Sequence, residues 1–302
     1  TGMASSVFSE ALLISRGALA LNSALPGMTK MIISSLQNPR VKHVVRLRDR
    51  RDRDREQQTV IEGYRALLSA ARNGHPVTEL FVCPELFQGE NETPLIERLR
   101  DGGTTVLHAT PDVFGKMAYR DRPEGLLGVA PQIRRSLTDL VVDPVNPPLY
   151  LVAEAIEKPG NLGTMLRSAD ATGVSGLIVC ERCTDIFNPN VVRASIGALF
   201  SVPLVEGGSE ETISWLKQNG VAILAATPHA TSVFSDVDMT CPVAVVVGTE
   251  QYGLSDMWLD ASDCGVRIPM LGQADSLNVA TASAVMLYEA VRQRGEPAAG
   301  QG

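Results

Sequence analysis

Three short segments gather polar and small residues of the kinds that bind a ligand or handle a proton. The first is Glu157-Lys158-Pro159-Gly160-Asn161-Leu162-Gly163, with Arg167 six positions beyond Asn161. The second is Gly248-Thr249-Glu250-Gln251-Tyr252-Gly253-Leu254. The third runs from Ile268-Pro269-Met270 to Ser276-Leu277-Asn278. Glycines in such segments let a backbone come close to a ligand. Each residue also has a plain structural reading. Asn161 and Asn278 stand at expected helix starts, where asparagine caps free amides. Glu250 reads equally as a loop carboxylate, and Arg167 as a helix-surface arginine. Their order and their common setting after apolar strands argue for a single ligand site.

Other chemistries lack their signatures. No GxGxxG follows a strand into a helix, and no GxxxxGK[ST] exists, so neither a dinucleotide fingerprint nor a P-loop is present. HExxH, GxSxG and the zinc-deaminase pattern are also missing. The five cysteines are scarce and odd in number, which suits a reduced, cytoplasmic protein. Cys180-x-x-Cys183 is half of a possible zinc site with no second half, so no metal is expected. No run of 18 apolar residues offers a membrane span. At 302 residues, 44% apolar and 20% charged, the chain has a globular composition and a two-domain length.

The elements that must hold these segments alternate between strand and helix. In the first half, strands are expected over 59–61, 77–83, 104–108 and 125–130, with helices over 64–73, 93–101 and 111–117. Asp143-Pro144-Val145-Asn146-Pro147-Pro148 reads as a stiff linker. Beyond it, near-continuous apolar runs at 149–155, 176–180, 221–226 and 242–248 predict buried parallel strands. Shorter extended segments are expected at 201–205 and 264–268, and helices over 161–172, 191–199, 213–218 and 278–292. Such a fold is α/β, and its ligand belongs at the carboxyl ends of the strands. Residues 1–27 resemble neither half. Glu10 and Arg16 spoil a signal-peptide reading, so this segment is expected to be a tag or upstream extension, with Met28 or Met31 opening the folded part.

The formal charge is −7, yet residues 40–55 (RVKHVVRLRDRRDRDR) carry +5. Val41, Val44, Val45 and Leu47 give this stretch an apolar stripe, and its Arg/Asp tail is expected to be solvated. Either it is an exposed, self-paired helix, or it grips phosphates through Arg46, Arg48, Arg50 and Arg51. Lys116, Arg120 and Arg122 could extend that basic face.

Taken together, the three segments resemble the motifs of the SPOUT superfamily, in its TrmH/SpoU branch of RNA ribose 2′-O-methyltransferases. Asn161-Leu162-Gly163-x-x-x-Arg167, Val246-Val247-Gly248-x-Glu250-x-x-Gly253-Leu254, and Ile268-Pro269-Met270 with Ser276-Leu277-Asn278-Val279 match in order. Arg193-Ala194-Ser195-x-Gly197-Ala198, Ser35-Leu36-Gln37-Asn38-Pro39-Arg40 and Ile61-Glu62-Gly63 are similar to further family segments. Ala274-Asp275-Ser276-Leu277-Asn278 resembles thiostrepton-resistance-type rRNA methyltransferases. The likeness spans residues 32–294.

The resemblance implies a parallel-sheet SPOUT domain over 149–294 with a deep trefoil knot. Ahead of it would come a small α/β ribosomal-protein-like domain over 31–140 that binds substrate RNA, and a linker over 141–148. Residues 1–30 would be a leader or disordered extension, and 295–302 a disordered tail. It implies S-adenosylmethionine as cofactor, a homodimer, and RNA, ribosomal by preference, as substrate. Arg167, Glu250, Ser276 and Asn278 would surround the reaction. Asn161, Thr227, Gly248, Ile268, Met270 and Leu277 would hold the cofactor, and Arg193 would grip RNA or cofactor, reached from the partner subunit. A tRNA 2′-O-methyltransferase and a non-catalytic RNA-binding or ribosome-assembly factor on the same fold are the alternatives; a nucleotide-binding metabolic enzyme is a weaker third.

Overall fold

The computed structural model describes residues 32–143, 145–181 and 184–295. The expected leader, both candidate starts and the tail beyond Gly295 lie outside the described residues, as does Cys183.

The first half builds a five-stranded mixed sheet. Its chain order is β1 (Ile32–Ile33), α1 (Pro39–Arg46), α2 (Arg50–Glu56), β2 (Gln58–Glu62), α3 (Tyr64–Arg72), β3 (Glu79–Val82), α4 (Glu92–Asp101), β4 (Thr105–Ala109), α5 (Pro111–Met117) and β5 (Leu126–Pro131). The strands lie in the order β1-β4-β3-β5-β2. β1, β4 and β3 run parallel, while β5 is antiparallel to both its neighbours.

The second half continues with β6 (Leu149–Glu154), α6 (Pro159–Thr172), β7 (Gly176–Cys180), α7 (Pro189–Ser195), α8 (Ala198–Ser201), β8 (Leu204–Gly207), α9 (Ser209–Gln218), β9 (Ala222–Ala226), β10 (Ser232–Val233), β11 (Val243–Val247), α10 (Asp256–Ala261), β12 (Cys264–Arg267) and α11 (Val279–Arg294). Its seven strands are all parallel, in the order β10-β12-β9-β11-β6-β7-β8. The apolar runs at β6, β7 and β11 are buried at every position, as strands covered on both faces must be.

One expected helix divides. Residues 191–199 form the end of α7 and the start of α8, separated by Ile196 (φ 52°) and Gly197 (φ 94°). That break lets α3 come close: a Cβ on Gly197 would lie 2.5 Å from the Ser69 Cβ, and Ser69 Oγ donates to Gly197 O at 2.7 Å. Ser201 consequently ends a helix instead of opening a strand. Around this junction Ala66, Leu67 and Ala70 share a core with Ala198, Leu199 and Phe200.

The charged stretch also departs from expectation. It is two helices, parted at Leu47–Asp49, and Asp49 caps the second by accepting from Arg51 N at 2.8 Å. Its tail is not uniformly solvated. Arg53 is 2% exposed and ion-paired with the equally hidden Asp185, 132 residues away. Arg53 Nη1 also donates to Leu47 O (2.8 Å) and Arg48 O (2.6 Å).

Candidate active site

The carboxyl ends of β6, β11 and β12 feed the three polar segments. Their side chains meet on one carboxylate. Glu250 Oε1 accepts from Asn161 Nδ2 at 2.8 Å and from Asn278 Nδ2 at 2.7 Å, and Asn278 Nδ2 also reaches Asn161 Oδ1 at 3.2 Å. Lys158 Nζ pairs with Glu250 Oε2. Asn161 and Asn278, 117 positions apart, are thereby clasped in a single network. The Lys158 ammonium, followed by the Asn161 amide, holds the Glu250 carboxyl below its ordinary range.

The local reasons differ for the two asparagines. α6 opens at Pro159 with Lys158 as its cap, so Asn161 lies inside the first turn and its side chain is free for Glu250. The expected capping role of Asn161 is thus corrected. Asn278 does cap α11, its Oδ1 accepting from Ala280 N at 3.0 Å. Its amide nitrogen remains available, so the structural and the functional readings hold together.

Two glycines of these segments also serve the packing of the chain on itself. A Cβ on Gly248 would fall 2.2 Å from Gly253 O, inside the turn closed by Thr249 N to Gly253 O (2.9 Å). A Cβ on Gly163 would lie 2.4 Å from the Ala194 Cβ, so this glycine lets α6 pack on α7. Both glycines bring backbone close to backbone.

Comparison with known proteins bears directly on this arrangement. Residues 148–288 match the model of the SpoU rRNA Methylase family, and residues 38–128 match that of the MRM3-like substrate binding domain. The chain is 34% identical, over 82% of its length and 87% of the relative's, to a 23S rRNA (uridine(2479)-2′-O)-methyltransferase of Streptomyces viridochromogenes. The chain belongs to the SpoU family. Among solved structures, an AdoMet-bound rRNA methyltransferase from Sinorhizobium meliloti superposes with a TM-score of 0.79 at 30% identity, covering 86% of this chain and 97% of that one. The SpoU methyltransferase AviRb from Streptomyces viridochromogenes gives 0.77 at 31% identity, covering 85% and 98%.

Within this SpoU fold the other expected site residues are distributed unevenly. Arg167 lies about 9 Å along α6 from Asn161, given 1.5 Å of rise per residue. It is exposed and makes no hydrogen bond or ion pair among the described residues. Ser276 is likewise exposed, outside the clasp. Thr227, Ile268, Met270 and Leu277 are half-buried, and Gly248 is buried. The ends of β9 and β12 are neighbours, with Ala226 paired to Val266, and Thr227 N donates to Val266 O at 3.0 Å.

The expected RNA-gripping arginines also divide. Arg46, Arg50 and Arg51 are exposed. Arg48 Nη2 is instead spent on backbone, donating to Lys116 O (2.7 Å) and Ala118 O (2.5 Å). Arg193 is exposed and donates to Asn190 Oδ1 at 3.0 Å, and it lines a shared cleft with Arg120 of the turn before β5.

Two residues escaped the sequence reading. Lys158 stood in the first polar segment but was given no role of its own. Glu154 ends an apolar strand, is 5% exposed, and accepts from Ser255 N (2.9 Å) and Ser255 Oγ (2.6 Å). It fastens the far end of the Gly248–Leu254 turn to β6. A carboxylate closing an otherwise apolar buried strand is the signal that could have exposed it, because such a charge needs a partner.

Proposed function

We propose that this protein transfers a methyl group from S-adenosylmethionine to a ribose 2′-hydroxyl of ribosomal RNA. The observation that carries this reading is the meeting of Lys158, Asn161 and Asn278 on Glu250, which draws the three family segments together. The cofactor suits the donor set: half-buried Thr227, Ile268, Met270 and Leu277 offer apolar walls for an adenine, and strand-end backbone offers its polar partners. When bound, S-adenosylmethionine supplies a methyl that is already electrophilic. The chain's task is to hold the ribose oxygen in line, within roughly 3–3.5 Å of it.

In this reading Arg167 faces the acceptor. A guanidinium holds its proton too tightly to act as a good base. It stabilises the alkoxide as charge develops and grips the adjoining phosphate. The proton leaves to solvent or phosphate. Ser276 and Asn278 orient the ribose, and Glu250, fully engaged by its donors, keeps the loops in place. Arg46, Arg50, Arg51 and Arg193 contribute phosphate contacts. Residues 31–140 act as the RNA-binding domain, 141–148 as linker and 149–294 as the methyltransferase domain. We read the passage from β11 to α11 as the trefoil knot, supported by α11 packing against α6 and by Asn278 reaching back to Asn161. Exposed Tyr252, Met257, Leu271 and Tyr288 support a homodimer. A cytoplasmic setting agrees with the free cysteines.

Calorimetry with S-adenosylmethionine, together with mass-spectrometric mapping of ribose methylation on ribosomal RNA, tests this. Arg167→Ala should lose about 100-fold or more in methyl transfer while cofactor heat persists. Near-normal turnover of that variant would remove Arg167 from the reaction.

A further inference from the structure

The start of α3, the loop leading into α4 and the turn before β5 face α7 and the α7–α8 break across a cleft of about 490 Å³, within the size range of small-ligand sites. Tyr64, Arg65, Glu92, Arg120, Arg193 and Ile196 lie on its walls. Three of these are arginines contributed by separate elements: Arg65 from α3, Arg120 from the turn before β5, and Arg193 from α7. Two of the three, Arg120 and Arg193, are held in place. Glu62 accepts from Tyr119 N (2.8 Å) and Arg120 N (3.4 Å), and Arg120 pairs with Glu124. α7 is locked to the first sheet by Ser69–Gly197 and by Asn190 Nδ2 donating to Tyr119 Oη at 3.2 Å. Arg65 is exposed and makes no hydrogen bond or ion pair among the described residues.

Two carboxylates share the lining with the arginines: Glu124, which pairs with Arg120, and Glu92. Glu92 is 5% exposed. Its Oε1 accepts from Gln88 N (3.3 Å) and Gly89 N (3.2 Å), but its Oε2 is sheltered from water and has no hydrogen-bond partner among the described residues. A buried acceptor left without a donor is costly, so it is a natural place for a ligand N–H. Ile196, a β-branched residue at φ 52°, is held in a conformation such side chains rarely adopt, at the same wall.

We propose that this cleft binds one unpaired nucleotide of the RNA substrate, its phosphates on Arg65, Arg120 and Arg193 and an amino-bearing base edge toward Glu92. Single-stranded RNA is read in this way, through splayed bases whose Watson–Crick edges meet side chains. A carboxylate selects an exocyclic amino group, as on cytosine or adenine, over the carbonyl that uracil presents there. The proposal rests on the reading of the substrate as RNA, and it adds a subsite whose lining shares no residue with the Glu250 clasp.

Fluorescence anisotropy with labelled 12-residue oligo(C), oligo(A) and oligo(U) RNA, in the absence of S-adenosylmethionine, tests it on the full chain. The intact protein should bind oligo(C) and oligo(A) at least fivefold more tightly than oligo(U). Glu92→Gln is isosteric and turns the free acceptor into a donor, so the preference should fall below twofold or reverse. Arg65→Ala, on an exposed position, should weaken all three oligonucleotides about tenfold and flatten the salt dependence by about 0.7 in log–log slope, one phosphate's share for a single strand. Equal binding of the three by the intact protein, or an unchanged slope in Arg65→Ala, would overturn the proposal even if Glu92→Gln failed to fold. Binding of cytidine monophosphate alone as tightly as oligo(C) would overturn the RNA assignment in favour of a free nucleotide. Methyl transfer and cofactor heat are read separately, so failure at the cleft leaves the methyltransferase reading intact, and the reverse holds too.

Discussion

The charged stretch at 40–55 and the three polar loops of the second sheet both advertise function in sequence, yet the fold treats them in opposite ways. In the loops, side chains far apart in the chain converge: Asn161 and Asn278 reach a single oxygen of Glu250. In the charged stretch, much of the charge is absorbed locally. Arg50 pairs with Asp54 at 3.4 Å, Arg55 with Asp52 at 2.5 Å and His43 with Glu56 at 2.6 Å, while Arg48 and Arg53 serve backbone carbonyls. Density of charge along a chain therefore says little about charge offered to a ligand. What matters is whether a partner lies within reach after folding, and local spacing supplies one cheaply on a helix.

The sharpest way to break this contrast is at Arg53. Its pair with Asp185 is shielded from water and joins the first sheet's helix to the segment after β7. Removing one member leaves the other charge buried, which costs about 3–5 kcal/mol. Arg53→Ala should lower unfolding free energy by about that amount in urea denaturation, although the residue sits in a run that reads as solvated. A loss below about 1 kcal/mol would return Arg53 to the surface.

How far the sequence could be read follows the same line. The buried strands β6, β7 and β11 were legible because continuous apolar runs bounded by turn residues have few other uses. The order of the three loops was legible through family likeness, not through physics. Pairing over long separations was not legible. Nothing local marks Arg53 as different from Arg51, or Lys158 as a partner of Glu250. α10 (Asp256–Ala261) went unread as well, because six residues give too little period; its anchor is Trp258, fully buried, with Nε1 donating to Ser209 Oγ at 3.0 Å. The α7–α8 break required knowing that α3 would need the space.

A smaller effect is expected at the clasp, and its direction is set by charge. The folded protein holds the Glu250 carboxyl below its ordinary value, chiefly through Lys158. A carboxyl depressed on folding contributes its stabilisation above the unfolded value and loses it as pH falls through the folded one. Cofactor affinity should therefore hold through neutral and mildly acidic pH and decline only below the usual glutamate range. Glu250→Gln should bind the cofactor about tenfold more weakly at neutral pH and show no such acid limb. An acid limb that survives in the variant would assign the titration to another group.

The gentlest test separates exposed arginines from committed ones within a few residues of each other. Arg50 and Arg51 are exposed, and the Arg50–Asp54 pair, at about half exposure, is of the kind worth little in water. Arg50→Ala with Arg51→Ala should shift stability by no more than about 0.5 kcal/mol. RNA affinity should fall about threefold with a flatter salt dependence, since an exposed guanidinium that is free or only weakly paired can turn to phosphate and release its counterions. Arg48→Ala should do the reverse. Its guanidinium bonds Lys116 O and Ala118 O, at the end of α5, so its loss should cost about 1–2 kcal/mol while leaving the salt slope unchanged. If Arg48→Ala flattened the slope as much as the Arg50/Arg51 pair, the carbonyl contacts would be yielding to phosphate in the complex. The whole stretch would then belong with the loops as binding machinery.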